Sequence, residues 1–329
     1  MKDSNIHILL AITDSYAPYC AVTIVSIFEN NKDNAFYIHI ICADLSEDNR
    51  HKLERLFEKY GQQAPDIIRP DGQRFQRIVD MLDKMPSKYH VSAFYRLCIS
   101  EWLSPDIDRV IYLDCDLIVT GNLRPLWEEE MDGHISLCAA HDFVRLDDYH
   151  RLRICKAEHT YFNTGVLLIN LAYWRRHAVG QQCIDYICAF PARILLADQE
   201  PLNAVSVGKV KYLHPKYNTM SFYFAKEEYL SVRVWYDDMK AIQEAVKSPV
   251  IVHFAGEKPW FKGDYLPYRD EWMKYLSMTE WKSMKIGYKG GWKGRFISKL
   301  RFFLIYLLGV KWNTVRKIYA IRPYKNQTV

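Results

Sequence analysis

The sequence predicts an α/β fold, a central sheet flanked by helices, followed by a basic, amphipathic, helical C-terminal region. Three observations carry this. Short apolar runs alternate with segments of helical periodicity along most of the chain, as strands alternate with helices in a sheet domain. The composition is globular, with 49% hydrophobic and 25% charged residues over 329 positions, enough for one large α/β domain or two ordinary ones with ample core. The composition then changes near residue 280, because residues 281–329 hold twelve Lys/Arg and no Asp/Glu. The division expected is therefore 1–280 as the folded body and 281–329 as a basic region of its own.

The elements follow in order. The apolar run 6–12 is a buried strand, 14–18 a loop, and 20–29 a helix. A second strand covers 36–42. Ser46 supplies a capping oxygen for a helix that runs to Tyr60 and is closed by Gly61. A third strand is read at 65–69, then helices at 75–84 and 91–103. The runs 109–113 and 135–140 are strands. Residues 160–170 are almost continuously hydrophobic, which places that strand centrally with both faces covered. A long helix is read over 171–190, a short one over 199–205, and a last strand over 250–254.

The net charge of +5 describes neither part of the chain. The first 280 residues carry 32 basic and 39 acidic side chains, a net charge of −7. An acidic body argues against a chain-wide nucleic-acid surface. The eight cysteines show no paired zinc spacing, and several lie in apolar runs, such as Cys98 in YRLCI and Cys138 in ISLCAA. They read as small buried hydrophobes of a reducing cytosol. No signal peptide is read at the start. The longest uncharged apolar run near the end, 302–310, is nine residues, well short of the about 20 that span hydrocarbon.

The chemistry begins where the strand VIYL at 110–113 runs into Asp114-Cys115-Asp116. Open α/β sheets bind ligands at the carboxyl ends of their strands. Two Asp at i and i+2 point the same way on extended backbone, and two like charges so close need a cation or a proton between them. A hard divalent ion, Mg²⁺ or Mn²⁺, suits the oxygen ligands and would neutralise a departing diphosphate. An isolated D-x-D is more often a solvated turn. Four further polar clusters outweigh that reading here.

In Ala11-Ile12-Thr13-Asp14-Ser15-Tyr16, the small residue admits a ligand to the backbone. Thr13 or Asp14 can accept from a base or ribose, and Tyr16 can stack on a base; an ordinary turn with a helix cap is the equal alternative. In Phe162-Asn163-Thr164-Gly165, a buried Asn163 needs partners and Gly165 permits close approach, with a β-bulge as the competing account. Ala197-Asp198-Gln199-Glu200 opens a short helix, and read alone it is a capping sequence. In HFAGEKPW at 253–260, His253 offers a ring nitrogen to a metal. Gly256 and Lys258 offer backbone and charge to phosphate. Read alone, His253 is a core histidine and Lys258 a solvated one. Arg96, on an apolar helix, can reach a ligand or pair with a core carboxylate.

In this order the clusters YLDCD at 112–116, FNTGVLLIN at 162–170, Asp198-Gln199 and HFAGEKPW, with Trp174-Arg175-Arg176, resemble glycosyltransferase family 8. These are retaining enzymes of the GT-A fold, a Rossmann-like, nucleotide-sugar-binding mixed sheet. The likeness spans residues 6–275 and is nearest to bacterial lipopolysaccharide galactosyl- and glucosyltransferases. It implies a UDP-hexose donor, a saccharide or glycolipid acceptor, and Mn²⁺, with Mg²⁺ as a substitute. By the same likeness Asp114, Asp116 and His253 hold the metal, and Ala11, Thr13, Asp14 and Tyr16 line the uridine pocket. Arg96, Asn163 and Asp198 hold the donor sugar, with Cys115, Thr164 and Gly165 beside them. Gly256 and Lys258 grip the diphosphate, and Gln199 sits by the anomeric carbon on the face opposite the leaving group.

Retention needs either a double displacement or same-face attack. Gln199 is an amide and a poor nucleophile, so front-face transfer is expected, with Asp198 as the alternative nucleophile. In the C-terminal region Phe296, Leu300, Phe303, Leu304 and Leu307 share a helical face flanked by Lys299, Arg301 and Lys311. Basic charge with aromatics is the pattern of an in-plane membrane anchor. The enzyme is therefore expected in the cytoplasm, peripheral on the inner face of a bacterial membrane, with no nucleic-acid partner. A helix docked on the protein's own acidic surface is the competing account. Two other classes compete with a transferase: a phosphohydrolase of the haloacid dehalogenase type, whose D-x-D opens near the first strand rather than mid-chain, and a non-catalytic membrane-binding protein.

Overall fold

The computed structural model describes residues 5–143, 146–155, 159–224, 236–262 and 266–288. Its strands are Ile6–Ala11 (β1), Phe36–Ile41 (β2), Asp66–Ile68 (β3), Arg109–Leu113 (β4), Leu117–Val119 (β5), Leu137–His141 (β6), Phe162–Asn170 (β7), Val210–Tyr212 (β8), Thr219–Met220 (β9), Ile251–His253 (β10), Phe261–Lys262 (β11) and Gly287–Tyr288 (β12). Seven of them form one sheet in the order β3-β2-β1-β4-β7-β6-β8. β3, β2, β1 and β4 run parallel, whereas β7 is antiparallel to both β4 and β6. The sheet is mixed, with β7 near its middle.

Alternation along the strands builds a core on each face. Ile8 and Leu10 of β1, Ile111 and Leu113 of β4, and Val166 and Leu168 of β7 pack against the helices Ala17–Asn30, Glu47–Lys59 and Arg269–Ser277. Leu9, Val110, Tyr112, Leu167 and Ile169 point the other way, against the helices Gly72–Val79, Leu171–His177 and Val179–Ala189. Eight of the nine β7 residues are buried, as its unbroken hydrophobicity requires. Ser46 caps its helix as expected, its Oγ accepting from the Asn49 N–H at 3.3 Å. Gly61 closes it at φ +62°, a conformation glycine adopts without steric penalty.

Three expected helices come out differently. The segment read as 171–190 is two helices broken at Ala178, which is left-handed at φ 48°. The break lets Gly180 press on the segment Val91–Cys98, where a Cβ would lie 2.1 Å from the Leu97 carbonyl oxygen. The segment read as 91–103 is a 3-10 helix over Val91–Cys98 and then a short α-helix over Ile99–Trp102. It buries five consecutive residues, Phe94 to Cys98, which is not the one-sided burial of an amphipathic α-helix. The segment read as 75–84 starts earlier, with Asp71 as its cap, and ends at Val79, followed by a 3-10 turn over Leu82–Lys84.

A second, three-stranded sheet has the order β5-β10-β9. β10 is antiparallel to β5 and parallel to β9. This small sheet brings the end of β10 beside the turn that joins β4 to β5. Residues beyond 280 continue the body: Trp281, Met284 and Ile286 pack on the first core, and Gly287–Tyr288 pairs with Phe261–Lys262. Residues 289–329, which carry the expected amphipathic helix, lie outside the described residues. Among the described residues, no helix is long and apolar enough to cross a membrane.

Candidate active site

The turn Asp114-Cys115-Asp116 is fixed by backbone bonds on both sides. The Asp114 N–H donates to the Gly165 carbonyl on β7 at 2.8 Å, and the Phe254 N–H after β10 donates to the Asp116 carbonyl at 2.8 Å. β7 and β10 thereby deliver their own side chains to the same place. One ligand atom each from Asp114, Asp116 and His253 lies within 4.8 Å of the others.

Each carboxylate has one oxygen committed elsewhere. Asp114 Oδ1 accepts from Arg96 Nη2 at 2.8 Å and from the Tyr112 hydroxyl at 2.9 Å. Asp116 Oδ2 is paired with Lys258 Nζ. Asp114 Oδ2 and Asp116 Oδ1 face His253 Nε2, at 4.0 and 3.3 Å. Burial alone would raise the Asp116 pKa, but His253 and Lys258 outweigh it and hold the carboxyl well below the ordinary range. The other ring nitrogen, His253 Nδ1, is 2.9 Å from Asn218 Oδ1, which leaves Nε2 for the cluster. Two carboxylate oxygens and one imidazole nitrogen, with the imidazole oriented from behind, suit Mn²⁺ or Mg²⁺. Gly165 has no room for a side chain, because a Cβ would lie 2.3 Å from His253 Cε1.

Arg96 joins this cluster to the Asp198-Gln199 turn. Arg96 is buried, and its guanidinium lies 4.1 Å from the Tyr112 ring centroid. It donates to the Thr164 carbonyl at 3.1 Å and pairs with Asp198 through Nε at 3.3 Å. Burial raises the Asp198 pKa to about 6; Arg96 opposes the rise and the Asp114 charge adds to it. Asp198 follows Ala197, left-handed at φ 51°, a backbone state costing about 1–2 kcal/mol for a non-glycine residue.

Gln199 is held on all sides. Its Oε1 accepts from the Thr164 N–H at 3.1 Å and from Asn163 Nδ2 at 3.2 Å. Its Nε2 donates to Asp142 Oδ2 at 3.1 Å and contacts the Tyr161 hydroxyl at 3.3 Å. The structure therefore unites Arg96, Asp114, Asp116, Asn163, Thr164, Gly165, Asp198, Gln199, His253 and Lys258 in one polar network.

Other expected residues sit differently. Asp14 Oδ1 accepts from the Ser46 N–H, Ser46 Oγ and Asn49 Nδ2, each at 2.8 Å. Its carboxylate thus clamps the start of the helix Glu47–Lys59, whereas the helix Ala17–Asn30 that follows it has no side-chain cap. Thr13 Oγ1 bonds Ser15 Oγ at 3.0 Å. Tyr16 is 42% exposed, edge-on to Trp260, and near enough to Asp116 that this charge adds to burial in raising its phenol pKa. Trp260 in turn stacks on Tyr19 with ring centroids 3.8 Å apart. Ala11 ends β1. Cys115 is a free thiol buried with Cys20 in the first core, so only its main chain is available to a ligand. Gly256 is left-handed at φ +104° and has open space around it.

Two network members had no signal in the sequence. Asn218 and Asp142 are isolated polar residues outside any motif, and only the strand pairing brings them in.

Known proteins resemble this chain over most of its length. The profile of glycosyl transferase family 8 matches residues 7–263. General stress protein A of Bacillus subtilis is 28% identical over 290 residues, covering 86% of this chain and 97% of that protein. Lipopolysaccharide 1,2-glucosyltransferase of Escherichia coli is 26% identical over 278 residues, covering 83% of this chain and 78% of its own. The galactosyltransferase LgtC, solved with donor and acceptor sugar analogues, shares the fold at a TM-score of 0.73 and 24% identity, over 84% of this chain and 96% of that one. The chain belongs to glycosyl transferase family 8, with the GT-A fold and the glycosyl-transfer activity of that family.

Proposed function

We propose that this enzyme is a metal-dependent retaining hexosyltransferase that moves galactose or glucose from a UDP-sugar to a saccharide acceptor, of the lipopolysaccharide or other glycolipid type. The observation that carries the reading is the meeting of Asp114, Asp116 and His253 within 4.8 Å, with Lys258 on the outer oxygen of Asp116. The names of two relatives, a lipopolysaccharide 1,2-glucosyltransferase and a lipopolysaccharide 1,3-galactosyltransferase, support the hexose and the acceptor class.

Asp114, Asp116 and His253 would hold Mn²⁺, or Mg²⁺ in its place. A bound ion there supplies Lewis-acid charge to the two phosphates. Lys258 and the open Gly256 backbone would bind the same diphosphate, with Lys258 stabilising charge as it develops. Ala11, Thr13 and the exposed Tyr16 would line the nucleoside pocket, together with the Asp14 oxygen that Ser46 and Asn49 leave free. Arg96, Asn163 and Asp198 would orient the sugar, flanked by Thr164, Gly165 and the Cys115 main chain.

Transfer at the front face is the mechanism we favour. The bond from the anomeric carbon to the phosphate oxygen breaks, and its electron pair stays on that oxygen. The acceptor oxygen bonds the anomeric carbon from the same side and passes its proton to the departing phosphate. Gln199 supports this, since its carbonyl oxygen is already shared between the Thr164 N–H and Asn163. Asp198 is ion-paired with Arg96, its Oδ2 3.3 Å from the guanidinium Nε. A glycosyl adduct on Asp198 or Gln199, seen by mass spectrometry, would contradict front-face transfer.

The test of substrate class is a screen of UDP-sugars for hydrolysis with and without Mn²⁺, followed by an acceptor array. Hydrolysis of UDP-galactose or UDP-glucose that disappears in chelator is the expected result. We place the enzyme at the inner face of the cytoplasmic membrane, attached through the basic aromatic region 281–329, where a lipid-linked acceptor is presented.

A further inference from the structure

Asn218 is completely buried and lies directly before β9, the strand that runs parallel to β10 and its terminal His253. Its carboxamide contacts two site residues. Oδ1 is 2.9 Å from His253 Nδ1, and Nδ2 donates to Asn163 Oδ1 at 2.9 Å. Asn163 Oδ1 also accepts from the Gly165 N–H at 2.9 Å.

The direction of every bond in this chain follows from one group. A backbone N–H is only a donor, so the Asn163 atom facing Gly165 is its oxygen. The Asn218 atom facing that oxygen must then be the amide nitrogen, which turns the Asn218 oxygen toward His253. An oxygen there requires a proton on Nδ1, which leaves Nε2 as the nitrogen that can give a lone pair to a cation held with Asp114 and Asp116. The same anchoring acts on the far side, where the Thr164 N–H fixes the Gln199 oxygen and Asn163 Nδ2 donates to it.

We propose that Asn218 is a positioning residue: it holds His253 with Nδ1 protonated and Nε2 aimed at the metal position, in a polarity set by the Gly165 N–H through Asn163. The inference rests on the reading of Asp114, Asp116 and His253 as a metal site. It adds a continuous carboxamide link from that site to Gln199.

The test uses full-length protein, ¹⁵N-labelled, with two variants, Asn218→Leu and Asn218→Asp. The leucine has similar bulk and no hydrogen-bonding groups, whereas the aspartate keeps an acceptor for Nδ1–H. The wild type should show a slowly exchanging ring N–H of His253 assigned to Nδ1, N218D should keep it, and N218L should lose it. Titration with Mn²⁺ alone, followed by electron paramagnetic resonance, should give about 10–100-fold weaker binding for N218L. An N218L protein with native near-ultraviolet circular dichroism that keeps either the Nδ1–H signal or the wild-type Mn²⁺ affinity overturns the proposal. Should N218L not fold, absence of the Nδ1–H signal from the wild type or N218D overturns it equally. A wild type that shows the signal and binds no Mn²⁺ defeats the metal reading alone.

Discussion

Asp116 divides its carboxylate between His253 Nε2 at 3.3 Å and the Lys258 ammonium. Both partners favour the ionised form, so the site holds a formal negative charge in a place where burial would otherwise discourage it. Asp116→Asn keeps the shape and removes that charge. Transfer should fall by about 10²-fold or more, the scale of a lost preorganised charge, and the dependence on divalent ion should vanish with it. Full activity of this variant in chelator would contradict the metal assignment. Gly165→Ala tests the same place by volume. Its Cβ would lie 2.3 Å from His253 Cε1 and 3.0 Å from Asn163 Oδ1, so the imidazole must move. Mn²⁺ affinity should drop and the overpacked site should cost about 1–3 kcal/mol of stability; unchanged affinity would show that the ring has slack. At this scale the motif residues were legible because a strand end, a paired carboxylate and a glycine each carry a local chemical reason. Asn218 and Asp142 were not, since a lone polar residue acquires meaning only from neighbours that strand pairing supplies. Asp14 was legible as polar but not as a clamp on Ser46 and Asn49, residues 32 and 35 positions away.

Among the elements, the strands β1, β2, β4 and β7 follow directly from apolar runs that can only be buried. The helices were legible in position and less so in form. Nothing local stops a helix at Ala178; the chain there breaks so that Gly180 can meet the Leu97 carbonyl. That contact packs the helix Val179–Ala189 onto the 3-10 helix carrying Arg96. Gly180→Ala, whose Cβ would be 2.1 Å from a backbone oxygen, should therefore cost about 1–3 kcal/mol as an overpacked core does. A thermal melt checks this, and a melting temperature equal to that of the wild type would mean that the two helices part without penalty. The three-residue strands β5 and β8 carried too little pattern to be read, and they exist because a neighbouring edge offers them hydrogen bonds.

For the whole molecule, the folded body extends past the composition change near residue 280. The body's packing runs through Tyr288, with Trp281, Met284 and Ile286 on the core, so a cut at 281 would expose apolar surface. Removing residues 289–329 should release the enzyme from bacterial membranes and spare hydrolysis of its donor. Unchanged membrane partitioning of that truncated protein would contradict anchoring. Membership of the glycosyltransferase family replaces the phosphohydrolase and the non-catalytic protein as readings of the D-x-D. The central claim is that the acidic cluster binds an anionic nucleotide through a divalent cation. Calorimetric titration of UDP into the full chain tests it most directly, with Mn²⁺, in chelator, and with Asp116→Ala. The account predicts binding that requires Mn²⁺ and is lost in the variant; UDP binding of equal strength in chelator, or none under any condition, would contradict it.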